Sequence, residues 1–176
     1  MRSVHPDNWI PNSGRPIGGP TVVLDLDGVI SDASHRQHFL AAERSRDKDW
    51  HGFFHACVDD ALIAHGAALA ASISAQRSVV ILTARIHEIR DKTVEWLHEN
   101  EVRHDWLILR GHREGALSSD WKRLQLEALT EAGARIELCA DDDPRNVEMM
   151  RSMGIATLYV PSGYYTDRTA QLPEFR

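Results

Sequence analysis

Apolar residues gather along this chain into five short runs separated by stretches with helical spacing. Residues 21–24, 78–85 (SVVILTAR), 106–110 (WLILR), 136–140 and 155–160 are β-rich and almost continuously hydrophobic. Strands covered on both faces have this pattern. Between the runs, the spacing predicts helices over 33–46, 62–76, 87–100 and 119–132, and another opening at Pro144. The third of these turns Ile89, Thr93, Trp96 and Leu97 inward; Leu62, Leu69 and Ile73 do the same for the second, and Val147 and Met150 for the last. Ser119 is the expected N-cap of the fourth helix and Asp143 of the fifth, with Pro144 suited to a first helical position. Strand and helix in alternation predict an α/β fold, a parallel sheet of five strands joined by right-handed crossovers.

Two stretches interrupt the rhythm. Residues 31–76 are longer than a crossover needs, so a small helical cap with Trp50, Phe53 and Phe54 in its core is expected there. Residues 1–20 hold four of the seven prolines and show no periodicity, which predicts a flexible leader before one domain over 21–176.

Composition narrows the class. A chain of 176 residues with 43% apolar content can bury one sizeable core. No run approaches membrane-spanning length and the start has no secretory apolar stretch, so the cytoplasm is expected and no membrane partner. With 26 acids against 20 bases the net charge is −6, which argues against a long non-specific hold on nucleic acid. Cys57 and Cys139 lack CxxC spacing and read as buried thiols.

The chemistry collects at strand ends. Asp25 and Asp27 close the first strand as an i, i+2 pair on one side, and Gly28 then permits a sharp turn and close approach to a ligand. Thr83 and Arg85 end the second strand, Arg110 the third, and Asp141 and Asp142 the fourth. In open parallel sheets, ligands bind beyond these carboxyl ends. Several carboxylates without HExxH or CxxC spacing favour Mg²⁺ over zinc. Thr83, Arg85 and Lys122 can hold an oxyanion, so a phosphate beside Mg²⁺ would satisfy acids and bases together. The loop at 111–118, with His112, Arg113 and Gly115, precedes the lysine helix.

Four segments in order, DLDGV at 25–29, LTAR at 82–85, Lys122 opening a helix and ADDDPRN at 140–146, resemble the motifs of the haloacid dehalogenase (HAD) superfamily of phosphohydrolases. The resemblance implies a three-layer Rossmann-like sandwich and a Mg²⁺-dependent phosphomonoesterase working through an aspartyl-phosphate. It makes Asp25 the nucleophile, Asp27 the general acid and base, Thr83 the phosphate-binding hydroxyl and Lys122 the clamp. Asp25, the Asp27 carbonyl and Asp141 would hold the metal, with Gly28, Ala84, Arg110 and Asp142 around the phosphate. DGVISDASHR, KDWHGFF and RDKTVEWL are further similar to the 3′-phosphatase domain of phage-type polynucleotide kinase/phosphatase. In that group the arginines matching Arg36 and Arg85 contribute to activity. Its usual acid four residues before the lysine is Ser118 here, with Asp120 the nearby substitute. No GxxxxGK[ST] loop occurs, so a kinase half is not expected. The implied substrate is a nucleic-acid 3′-phosphate end, a nucleotide or another small phosphorylated molecule. A receiver-type phosphoacceptor is the rival class, and Leu109 and Arg110 stand at the third strand end where it needs an aspartate. A silent phosphate-binding module is the third reading.

Overall fold

Side chains alternate along the first long strand, with Val22 and Leu24 entering one apolar cluster and Val23 the other. A strand used on both faces must be roofed twice, and the computed structural model, which describes residues 6–42, 44–111 and 117–165, has that arrangement. In chain order the strands and helices are β1 (Trp9–Pro11), β2 (Gly19–Leu24), β3 (Ser31–Asp32), α1 (Trp50–His55), β4 (Ala61–Leu62), α2 (Ala64–Ser72) and β5 (Ser78–Ile86). Then follow α3 (Arg90–Glu99), β6 (Trp106–Arg110), α4 (Ser118–Glu131), β7 (Ala134–Asp141), α5 (Pro144–Ser152) and β8 (Thr157–Tyr159).

The main sheet runs β1-β6-β5-β2-β7-β8. Five of its strands are parallel, as the five apolar runs predict, and β1 adds an antiparallel edge against β6. From β2 the chain builds outward through β5 and β6, then returns across β2 to β7. This reversal opens a crevice at the carboxyl end of β2. One face packs Leu24, Ile81 and Leu107 with Ala70 of α2 and Trp96 and Leu97 of α3. The other packs Val23, Val80 and Ile108 with Trp121, Leu126 and Leu129 of α4 and Met149 and Met150 of α5. The result is the expected α/β three-layer sandwich.

Several expectations need correction. The leader carries β1: Trp9 pairs with Ile108, is buried in the second cluster, and donates its indole N–H to Gln125 Oε1 at 2.8 Å. The helix expected over 33–46 is two 3₁₀ segments, Ser34–Leu40 and Ser45–Asp47. Propensity yields there to the ion pairs that bury Arg36. The block expected as cap divides in two. The short β3–β4 ladder closes off residues 33–60, whereas α2 beyond it packs on the sheet. Gly66 lets α2 approach, because a Cβ there would collide with the carbonyl of Val29. The N-cap of α4 is Leu117, with no side-chain bond, and Ser119 lies inside the helix. Asp143 does cap α5, accepting from the Arg145 N–H, with Pro144 in the first turn. Ile89, Thr93, Trp96 and Leu97 are buried as expected. The loop residues His112, Arg113 and Gly115 lie outside the described residues.

Candidate active site

Two strand ends and a helix bring the charged residues together at the crevice. Asp25 follows β2, Asp141 ends β7, and Lys122 reaches them from the first turns of α4. Lys122 Nζ lies 2.6 Å from Asp141 Oδ2 and 3.0 Å from Asp25 Oδ1. Asp141 Oδ1 accepts from the Asp143 N–H at 2.9 Å and from Asn146 Nδ2 at 3.0 Å, so this carboxylate is fixed on every side. Asp25 accepts from the Leu26 N–H at 2.8 Å.

One ammonium does not balance the acids. Asp25, Asp141 and Asp142 each offer an oxygen within 4.8 Å of the others, all three are buried, and Asp142 Oδ2 has no hydrogen-bond partner among the described residues. Burial first, then Lys122 and Asp141 acting in opposite senses, leave the Asp25 carboxyl pushed up to about 7. Burial, with Asp25 beside it, raises Asp142 well above the usual carboxylate range. Burial works against the charge of Lys122, yet the two aspartates outweigh it and hold its ammonium above its ordinary value. An all-oxygen, charge-deficient pocket of this kind suits a hard divalent cation. Gly28 permits it: φ is +83°, and a Cβ there would collide with the Asp142 carboxylate.

Asp27 faces a second cluster. Its Oδ1 accepts from Arg36 Nη2 at 2.7 Å and from Arg85 Nη2 at 2.6 Å. Behind it, Asp60 takes Arg36 through both oxygens, at 2.8 and 2.7 Å, and Arg85 at 2.7 Å. Asp60 also accepts from Ser31 Oγ at 2.5 Å and lies 2.9 Å from His35 Nε2. Burial alone would raise Asp27; Arg85 and Arg36 outweigh it and hold its carboxyl below the usual range. The same pairing keeps Arg36 protonated against the opposing effect of burial.

Of the sequence-predicted residues, Asp25, Asp27, Thr83, Ala84, Arg110, Lys122 and Asp142 line one cavity of about 670 Å³. Thr83 is buried beside it and accepts from the Arg85 N–H at 3.2 Å. Asp141 and Gly28 are buried among these residues. Arg36 and Arg85 do not line the cavity; they sit behind Asp27 and orient it. Ser118 lines the cavity, whereas Asp120 is exposed and does not, so it supplies no acid in the missing position. Asp60 escaped the sequence reading, as did Asn146, Tyr164 and Tyr165, which also line the cavity or brace its acids.

Comparison with known proteins bears on the fold and the family. The family model of the polynucleotide kinase PNKP phosphatase domain matches residues 19–165. A structure of the Pnkp1/Rnl/Hen1 RNA repair complex contains a chain 21% identical, with TM-score 0.65, covering 82% of this chain and 42% of that one. A second structure of the Pnkp1/Rnl/Hen1 complex gives 20% identity and TM-score 0.65, covering 91% and 51%. The class C acid phosphatase of Bacillus anthracis gives 15% identity and TM-score 0.58, covering 88% and 70%. At these identities the likeness is one of fold, and this chain spans about half the length of the first two. No curated protein matches. The family match, over most of the chain and all four motifs, makes this chain a member of the family of the polynucleotide kinase PNKP phosphatase domain, within the HAD superfamily.

Proposed function

We propose that this chain acts as a Mg²⁺-dependent phosphomonoesterase that works through an aspartyl-phosphate on the 3′-phosphate end of a nucleic acid. The observation that carries this reading is the placement of Asp25, at the rim of the cavity, between the Lys122 ammonium and two further buried carboxylates. Asp25, Asp141 and the main-chain carbonyl of Asp27 are the proposed metal ligands, with Asp142 assisting. When bound, Mg²⁺ would neutralise the acids and the phosphoryl oxygens.

A carboxylate oxygen of Asp25 attacks phosphorus and the bond to the ester oxygen breaks. Asp27 gives its proton to that departing oxygen. Asp27, now ionised, takes a proton from water as the water attacks phosphorus. The bond to Asp25 breaks and inorganic phosphate leaves. Thr83 and Lys122 hold phosphoryl oxygens through both steps. The two arginines favour the ionised form of Asp27, which suits the second step, and they lower its proton affinity in the first.

A 3′-phosphate end is favoured over a general metabolite by the family and by the basic side chains Lys48, Arg110 and Arg145 that line the cavity. The buried free thiols Cys57 and Cys139 fit a reducing, cytoplasmic setting. Among the described residues no helix is long and apolar enough to cross a membrane.

The test compares 3′-phosphorylated oligonucleotides, 3′- and 5′-mononucleotides and sugar phosphates, each with Mg²⁺. Turnover on the oligonucleotide end should exceed the others. Asp25→Asn should keep the native circular-dichroism spectrum and lose at least a thousandfold in kcat; retained activity in that variant would reject the nucleophile.

A further inference from the structure

We propose that the cap-side wall of the cavity is a nucleobase subsite, in which the base of the phosphorylated terminal nucleoside stacks on Trp50 and Lys48 meets the adjoining phosphodiester. The inference rests on the phosphomonoesterase reading and specifies the substrate's other half.

The cavity is far larger than its chemistry needs. At about 30 Å³ per water, 670 Å³ equals the room of about twenty waters, several times what a phosphoryl group and a hydrated cation fill. Trp50, Phe53 and Phe54 of α1 line part of the cavity wall. Phe53 is the core residue of this group and is buried. Trp50 is not, for it remains 42% exposed on a cavity wall that it shares with charged residues. Packing of the cap buries Phe53 and leaves much of the indole accessible at the cavity wall.

The indole is held in a fixed plane. Phe54 lies stacked at 6.0 Å and 28°, and Phe53 meets it edge-on at 6.2 Å and 83°. The shelf is also tied to the reaction centre. The Arg36 guanidinium lies 4.3 Å from the centre of the Phe53 ring and donates to the Phe53 carbonyl at 3.3 Å, while its other contacts hold Asp27. A flat aromatic surface registered to a phosphate site is pre-organised for a planar group one sugar away, and sugar phosphates have no such group.

Lys48 completes the subsite. Its ammonium lies 5.9 Å from the Trp50 ring centre. A cation–π contact at a partly exposed site is weaker than a base stacked on indole, so the incoming base displaces the ammonium rather than the reverse. The displaced charge then stands beside the substrate backbone.

The experiment uses two oligonucleotides with 3′-phosphate ends, identical except that one has an abasic terminal residue. The wild-type protein should prefer the base-bearing end, and Trp50→Ala should lower the ratio of the two kcat/KM values about tenfold, chiefly through KM. Trp50→Phe should restore most of the ratio, and Lys48→Ala should flatten the salt dependence of oligonucleotide binding. Equal loss on both ends, or no wild-type preference, would overturn the subsite. If the wild type hydrolyses no phosphate ester, the phosphatase reading fails by itself. Fluorescence anisotropy of the same two oligonucleotides then decides the shelf, since equal affinity with and without the base would overturn it.

Discussion

Asp60 carries more of this site than its place in the sequence suggests. It neutralises two fully buried guanidiniums whose other acid, Asp27, is 21% exposed at the cavity. Replacing it by Asn leaves two buried cations facing one carboxylate, and breaking such a pair costs about 3–5 kcal/mol. Asp60→Asn should therefore lower the Tm by about 10 °C in a scanning melt. It should also reduce kcat more than KM, because Asp27 loses its brace while the cavity lining is untouched. Asp25, Asp27, Asp141 and Asp142 were legible because motif spacing places acids at strand ends, where their function follows from position. Asp60 was not, because an acid in an irregular segment has no period to announce it. The available signal was charge: Arg85 ends an apolar run, and with Arg36 it makes two cations that Asp27 alone cannot balance.

At the scale of elements, the strands were readable and the cap was not, for one physical reason. A strand buried on both faces must be apolar throughout, so β2, β5 and β6 show themselves directly. The segment between β3 and β4 is held by polar contacts, Arg36 to Asp27 and Asp60 above all, and such contacts leave no helical or strand period. The leader misled for a related reason, since a three-residue edge strand ending in Pro11 is too short for alternation to register. Its one loud residue is Trp9. Trp9→Ala removes a buried indole from between α4 and the sheet and should destabilise the fold by about 3 kcal/mol, read as a lower denaturant midpoint at unchanged m-value. Because β1 pairs on the β6 edge and no residue of it lines the cavity, kcat of the folded fraction should stay within about twofold.

Over the whole molecule, stability and metal binding meet in the same carboxylates. Burial, reinforced by Asp141 and Asp27, pushes the Asp25 carboxyl up to about 7 from an ordinary 3.8 when no cation is present. An acid raised in the folded state holds a proton that the unfolded chain has already lost between these values. The stability it contributes is complete below about pH 4 and disappears as pH rises through about 7. Mg²⁺ bound as proposed would take the proton's place, and at 100 times its Kd a ligand adds about 2.7 kcal/mol. Protons compete with it at low pH, so the Mg²⁺-induced rise in Tm should be larger at pH 8 than at pH 5.5. Melting scans across this range with Mg²⁺ and with chelator check the sign. Asp25→Asn should reduce the pH dependence of the chelated protein and shrink the Mg²⁺ effect together, because Asp25 takes part in both. A Mg²⁺ shift that stays equal at the two pH values would mean that the cation is held by groups already ionised, and would move the metal away from Asp25.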